Sequence, residues 1–305
     1  AIPVDIEAQT LGICPEALKK KITPKTRAIL ALHAFGCPCE IERLRDIALE
    51  RDLPLIEDCA HSLGAHSKGK ATGSFGLAGF FSFETTKPVN TFGGGAIVSD
   101  DPALLEFARI EAEKDDNQDP APVLDKIKAV MVEQFLFKTG LAFPFLYLLA
   151  TPRLKPVAEV LYRNAHYVPP KGLAYLAAQA RMGIDMLERL DDKLTRLDDV
   201  FSTWGELLPE GVHLHGPRKD SRSSRYFLLV TTPVPSLGLR KRLLMSGIDA
   251  AIGDEIADNC AASLNSDDCP VTDDIFDRAI VLPAFLGLGK DQIRKICRII
   301  ETTVS

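Results

Sequence analysis

Two periods of apolar residues alternate along the first hundred positions. Short, nearly continuous apolar runs at 27–33 (RAILALH), 54–59 (PLIEDC), 78–83 (AGFFSF) and 95–99 (GAIVS) have strand length and composition. Between the first two, Ile41, Leu44, Ile47 and Ala48 repeat every three or four positions with charged residues elsewhere, which predicts a helix over 39–52. Residues 103–113 read as another helix, and the opening residues 1–6 as a strand. Strands that are apolar on both faces and alternate with helices predict a mixed, mostly parallel sheet in an α/β layer.

The pattern changes further on. Residues 114–125 (KDDNQDPAPVLD) are polar and contain prolines, which predicts a loop or boundary. Residues 126–172 are uneven, with an apolar run at 139–152 that contains Pro144. That run is too short to span a bilayer and reads as a buried or interface helix rather than a membrane contact. From Leu173 to Val200 apolar residues recur at helical spacing, predicting one long bridging helix. Strands at 226–232 and 279–283 and helices at 236–246, with a serine N-cap and Gly247 at its end, and at 291–303 predict a smaller α+β unit. The expected division is therefore 1–125, 126–172 as insertion or linker, and 173–305.

Composition narrows the function classes. The 305 residues are 46% hydrophobic and 26% charged, with a formal charge of -6. That is globular composition, and the acidic balance argues against nucleic acid as a partner. Seven cysteines, an odd number in a chain of this size, read as free thiols in a reducing cytoplasm. Cys37-Pro38-Cys39 lacks a two-residue spacer and a second pair, so no metal site is expected. His33 reads as a packed residue, and His213 and His215 as one surface strand face.

Chemistry gathers where strands end. Asp58 closes the 54–59 run, Ser82 closes the 78–83 run, and Lys87 follows with Gly93-Gly94-Gly95 beyond. Ligands in α/β sheets sit past such carboxyl ends. A partly buried lysine loses its proton readily and becomes a nucleophile, while glycines allow a close approach of backbone to a ligand. A lysine and a carboxylate converging on one crevice suit pyridoxal 5'-phosphate, the lysine forming a Schiff base and the acid pairing with the pyridinium nitrogen.

The stretches TRAILALHAFG (26–36), LPLIEDCAHSLGA (53–65), GKATGSFG (69–76) and FFSFETTKPVNTFGGGAIVSDD (80–101) resemble the DegT/DnrJ/EryC1/StrS sugar aminotransferase family, as do LERLDD (187–192) and RAIVLPAFLGLGKDQIRKI (278–296). The resemblance implies a fold-type-I large domain with a smaller C-terminal domain. It also implies a homodimer with sites shared across the interface, which with the free thiols gives a cytoplasmic enzyme as the expectation. The activity implied is transfer of an amino group from glutamate or glutamine to a nucleotide-linked keto-sugar. Residue by residue, Lys87 matches the Schiff-base lysine, Asp58 the partner of the pyridine nitrogen, His61 a group at the ring and its phenolic oxygen, and Ser82 a phosphate ligand. Against this pattern the chain lacks the N-terminal stretch that supplies a helix N-terminus to the phosphate. The alternative expectation is thus an incomplete homologue acting as a binding or partner subunit.

Overall fold

A computed structural model describes residues 1–114, 119–142, 174–266 and 268–304. In chain order the elements are α1 (Pro15–Lys21), β1 (Ile29–Leu32), α2 (Ile41–Glu50), β2 (Leu55–Asp58), β3 (His66–Ser67), β4 (Lys70–Ala71), β5 (Ala78–Ser82), β6 (Gly95–Val98), α3 (Pro102–Glu113) and α4 (Ala121–Thr139). They continue with α5 (Ala177–Glu188), α6 (Leu190–Leu207), β7 (His213–Leu214), β8 (Ser221–Arg222), β9 (Leu228–Thr231), α7 (Ser236–Met245) and β10 (Ala251–Ile252). The last four are α8 (Cys260–Ser263), α9 (Pro270–Arg278), β11 (Ala279–Leu282) and α10 (Lys290–Val304).

The first sheet has the order β1-β2-β5-β6. β1, β2 and β5 run parallel and β6 is antiparallel, so the mixed, mostly parallel sheet expected from the apolar runs is present. Ile41, Leu44, Ile47 and Ala48 of α2 bury against Ile29, Ala31 and Leu55, which is the face the helical spacing predicted. The second sheet, β10-β11-β9-β7, is wholly antiparallel. Leu228 and Val230 of β9 and Ile280 and Leu282 of β11 carry a core closed by Trp204, Leu239, Leu243, Ile293 and Ile300.

Three connections join the two halves of the chain, the first through a third, small sheet of order β4-β3-β8. β3 pairs with β8, Ser67 opposite Ser221. Leu11 and Ala34 pack with Leu229, Ile275 and Ala279. Asp5 accepts from the backbone of Val271 (3.1 Å) and Thr272 (3.0 Å), capping the first turn of α9 with a carboxylate.

Several expectations need correction. Residues 1–6 form no strand; Ile6 makes only an isolated bridge with Ile13. The loop expected to 125 ends sooner, because α4 starts at Ala121. The single helix expected from Leu173 is two, broken at Arg189. The first seats on the 91–94 turn through Gln179, whose Nε2 donates to the Thr91 carbonyl (2.8 Å), and through the small Gly183. The second buries a leucine stripe, Leu190, Leu194 and Leu197, around Val89. Two partners of different chemistry set two axes, although the apolar period continues across the break. Ser236 is the first residue of α7 rather than its cap, and its Oγ donates to the Asp277 carbonyl (3.0 Å). His213 is exposed as expected, but His215 is buried, held by the Ala8 carbonyl (2.8 Å) and Thr231 Oγ1 (3.2 Å).

Most of the predicted 126–172 insertion, from residue 143 on, and the expected helix start at Leu173 lie outside the described residues. Among the described residues no helix is long and apolar enough to cross a membrane.

Candidate active site

The site stands on a buried carboxylate next to the one predicted. Alternation along β2 sends Leu55 and Glu57 inward and leaves Asp58 half-buried at the strand end. Glu57 is completely buried. Its Oε1 accepts from the backbone of Phe75 (2.6 Å) and Gly76 (2.8 Å). Its Oε2 accepts from Gly73 N–H (2.8 Å) and faces His33 Nε2 (3.0 Å). Burial by itself would raise the Glu57 pKa; the hydrogen bonds from His33, Gly73 and Gly76 outweigh it and hold the carboxyl below its ordinary range. The Cys39 backbone N–H points at His33 Nδ1 (3.2 Å), so Nδ1 is the acceptor and the ring proton sits on Nε2, directed at Glu57. His33 is thus the packed residue expected of it.

His33, Glu57 and Cys59 bring potential ligand atoms within 4.8 Å of one another. Both Glu57 oxygens already accept two bonds each, and burial pushes the Cys59 thiol up to about 12. The trio is accounted for as hydrogen-bonded packing. Cys37 and Cys39 are buried free thiols, Cys37 raised to about 11 by burial.

Asp58, His61, Ser82 and Lys87 sit at the carboxyl ends of the two central strands. Asp58 Oδ1 accepts from the Ala60 backbone (2.9 Å). Ser82, the last residue of β5, accepts from the Glu84 backbone (3.4 Å), which turns the chain toward Lys87. The turn is closed by Lys87 N–H on the Glu84 carbonyl (2.9 Å) and held from α6 by Lys193 Nζ on the Pro88 carbonyl (2.9 Å). Lys87 is partly buried. That burial lowers its pKa, while the negative charges of Asp58 and Glu84 pull it back up, so the predicted lysine and acid act on one another. His61 is pushed down to about 4 by burial and by the Lys87 charge. It is therefore neutral at neutral pH. Phe35 N–H points at its Nδ1 (3.3 Å), leaving the proton on Nε2.

At Gly94 the room left by the missing side chain is taken by the chain itself. Gly94 has φ +88°, and a Cβ there would collide with the ring of Tyr175. Tyr175 in turn donates to Thr91 Oγ1 (2.9 Å), so this close approach locks the turn that follows Lys87.

One residue of the site has no signal in the first hundred positions. Tyr226 enters just before β9. Its ring stacks on His61 (4.5 Å between centroids, 24° between planes), and Lys87 Nζ lies 4.7 Å from the centre of that ring. Lys87 Nζ donates to its hydroxyl (3.3 Å), which also bonds Thr86 Oγ1 (2.9 Å).

The set is an amine of lowered basicity, a carboxylate acting on it, a neutral imidazole and a strand-end hydroxyl. It fits pyridoxal phosphate by the chemistry of its donors. Comparison with known proteins finds aminotransferases. The model of the DegT/DnrJ/EryC1/StrS aminotransferase family matches residues 1–114. The GDP-perosamine synthase of Vibrio cholerae is 40% identical over 108 residues, which is 35% of this chain and 29% of that protein. The L-glutamine:2-deoxy-scyllo-inosose aminotransferase of Micromonospora echinospora is 39% identical over 107 residues, 35% of this chain and 26% of that protein. The chain thus matches between a quarter and a third of the length of these relatives.

The fold match is wider. The crystal structure of a DegT DnrJ EryC1 StrS aminotransferase from Brucella abortus superposes with a TM-score of 0.71 at 20% identity, over 99% of this chain and 73% of that one. DesV of S. venezuelae, solved in complex with a ketimine intermediate, gives 0.72 at 22% identity over 99% and 71%. The architecture is that of the fold-type-I aminotransferases.

Proposed function

We propose that this chain carries the site of a pyridoxal-phosphate-dependent sugar aminotransferase, with glutamate or glutamine as donor and a nucleotide-linked keto-sugar as acceptor. The observation that carries the reading is the partly buried Lys87 amine, its basicity lowered by burial, within the electrostatic reach of the Asp58 carboxylate, both at the carboxyl ends of parallel strands. It is supported by the family match over the residues that hold both groups. Residues 1–125 would form the cofactor-binding unit and 173–305 the smaller one, in a homodimer.

In this reading pyridoxal phosphate supplies an aldehyde and a ring that accepts electrons from a substrate carbon. Lys87 provides the attachment point and, as the free amine, the base that moves the proton. Asp58 would pair with the ring nitrogen and keep it protonated. His61 stays neutral and offers Nε2–H to an anionic oxygen. Ser82, whose oxygen already accepts the Glu84 N–H, has its own proton free for a phosphate oxygen. Titrating the purified chain with pyridoxal phosphate should produce the visible band of a lysine-bound cofactor. Lys87→Ala should abolish it, and amino transfer from glutamate with it. A chain that stays colourless with excess cofactor refutes the proposal.

A further inference from the structure

The Lys87 side chain meets a residue from the far half of the sequence, and that residue is held from several sides. Arg225, immediately before Tyr226, takes φ +54° and donates through Nε to Asp198 Oδ1 (2.6 Å) on α6. Ser224 N–H donates to the Gly36 carbonyl (3.0 Å), and Ser224 Oγ to the His61 carbonyl (2.5 Å). Gly36, at φ +87°, lets this strap lie against the main chain; a Cβ there would run into Ser224 and Tyr226. Phe227 stacks on the Tyr226 ring at 4.1 Å. The tyrosine therefore reaches Lys87 from a rigid support.

We propose that Tyr226 is a positioning residue for the Lys87 amine: its hydroxyl joins Nζ to Thr86 and its ring faces the ammonium, so the C-terminal half of the chain governs how much free amine the site presents. The proposal rests on the reading of Lys87 as the reacting amine. The charged groups facing Lys87 are Asp58 from β2 and Glu84 from the turn after β5, with His61 neutral and Glu84 shared with Lys126 Nζ (2.5 Å) from α4. Against that fixed background the hydroxyl adds an acceptor for the ammonium and the ring adds a favourable π face. A hydrogen bond to a charged donor is about twice as strong as one to a neutral donor, so removing the hydroxyl disfavours the ammonium.

The test reads Lys87 protonation on the full chain, after hydroxylamine treatment to free the amine. Acetic anhydride labelling from about pH 6 to about pH 11, quantified by mass spectrometry against exposed Lys25, gives the Lys87 midpoint. Tyr226→Phe keeps the ring and should move that midpoint down by about half a unit, giving about threefold more free amine below it. Tyr226→Leu keeps bulk but removes the π face as well and should move it down by about one unit. Midpoints in both variants equal to or above the parent's overturn the proposal. Pyridoxal phosphate titration of the same samples reads the cofactor proposal separately. A chain that never colours refutes that proposal, while the labelling midpoints alone decide the role of Tyr226.

Discussion

Glu57→Gln is nearly isosteric and should be among the most damaging single changes in the first sheet. Four donors converge on the carboxylate: the backbone of Gly73, Phe75 and Gly76, and His33 Nε2. Glutamine keeps one oxygen, which can satisfy two of them. Its NH2 group then points at the other two, whichever way the amide is turned. His33 cannot relieve the clash by moving its proton, because the Cys39 N–H occupies Nδ1. Two buried donors lose charge-assisted bonds, each about 1.5–3 kcal/mol. That gives a destabilisation of about 3–6 kcal/mol, close to the range expected when one partner of a buried ionic network is removed. Urea unfolding at neutral pH, followed by circular dichroism, should show the midpoint fall accordingly. Trp204 fluorescence reports the same transition from the second core. The pH dependence gives an independent check. A carboxyl held below its ordinary 4.5 contributes stability that is fully present above that value and lost as pH falls through its folded value. The parent should therefore lose stability in acid more steeply than Glu57→Gln. A variant within about 1 kcal/mol of the parent, with the same acid limb, would show that Glu57 is not the pillar of the 73–76 turn.

Other changes test other contacts. His215 is held down to about 4, chiefly by burial, so the unfolded chain takes up its proton first as pH falls. Stability should decline from about pH 6.5 toward 4, and His215→Gln, which can keep bonds to Ala8 and Thr231, should flatten that decline by up to about 1.4 kcal/mol per pH unit when urea midpoints are measured along it. Gly94→Ala puts a Cβ into the Tyr175 ring at a left-handed φ and should cost about 1–3 kcal/mol in thermal or urea unfolding; an unchanged midpoint would mean the turn repacks freely.

What the sequence disclosed follows from what is local in it. β2 and β5 are short apolar runs with polar ends, so their boundaries, and with them Asp58 and Ser82, were legible to within a residue or two. The α2 face was legible because one period covers the whole helix. Glu57 was not, because it looks like a second acid beside Asp58; its four donors arrive from residues 33 and 73–76 and leave no spacing in β2. The break at Arg189 was hidden for the opposite reason. The apolar period crosses it without interruption, while the partners on either side change from the polar 91–94 turn to the Val89 core. Gly93-Gly94-Gly95 showed where the backbone needs room but not what fills it, which at Gly94 is Tyr175.

Two levels of likeness divide the site. Identity near 40% to known aminotransferases extends over about a third of the chain, and the family model matches residues 1–114, which hold Asp58, His61, Ser82 and Lys87. The likeness of the whole chain to solved structures, at 20–22% identity, is one of fold, which needs only the burial pattern of strands such as β9 and β11 to persist. Tyr226 lies in this second region. Its proposed role rests on contacts from outside the matched segment. The Arg225–Asp198 pair and the Ser224 bonds fix its backbone, His61 fixes its ring, and Thr86 and Lys87 fix its hydroxyl. The Tyr226 hydroxyl and ring, together with Lys193 on the Pro88 carbonyl, couple the second core to the Lys87 turn.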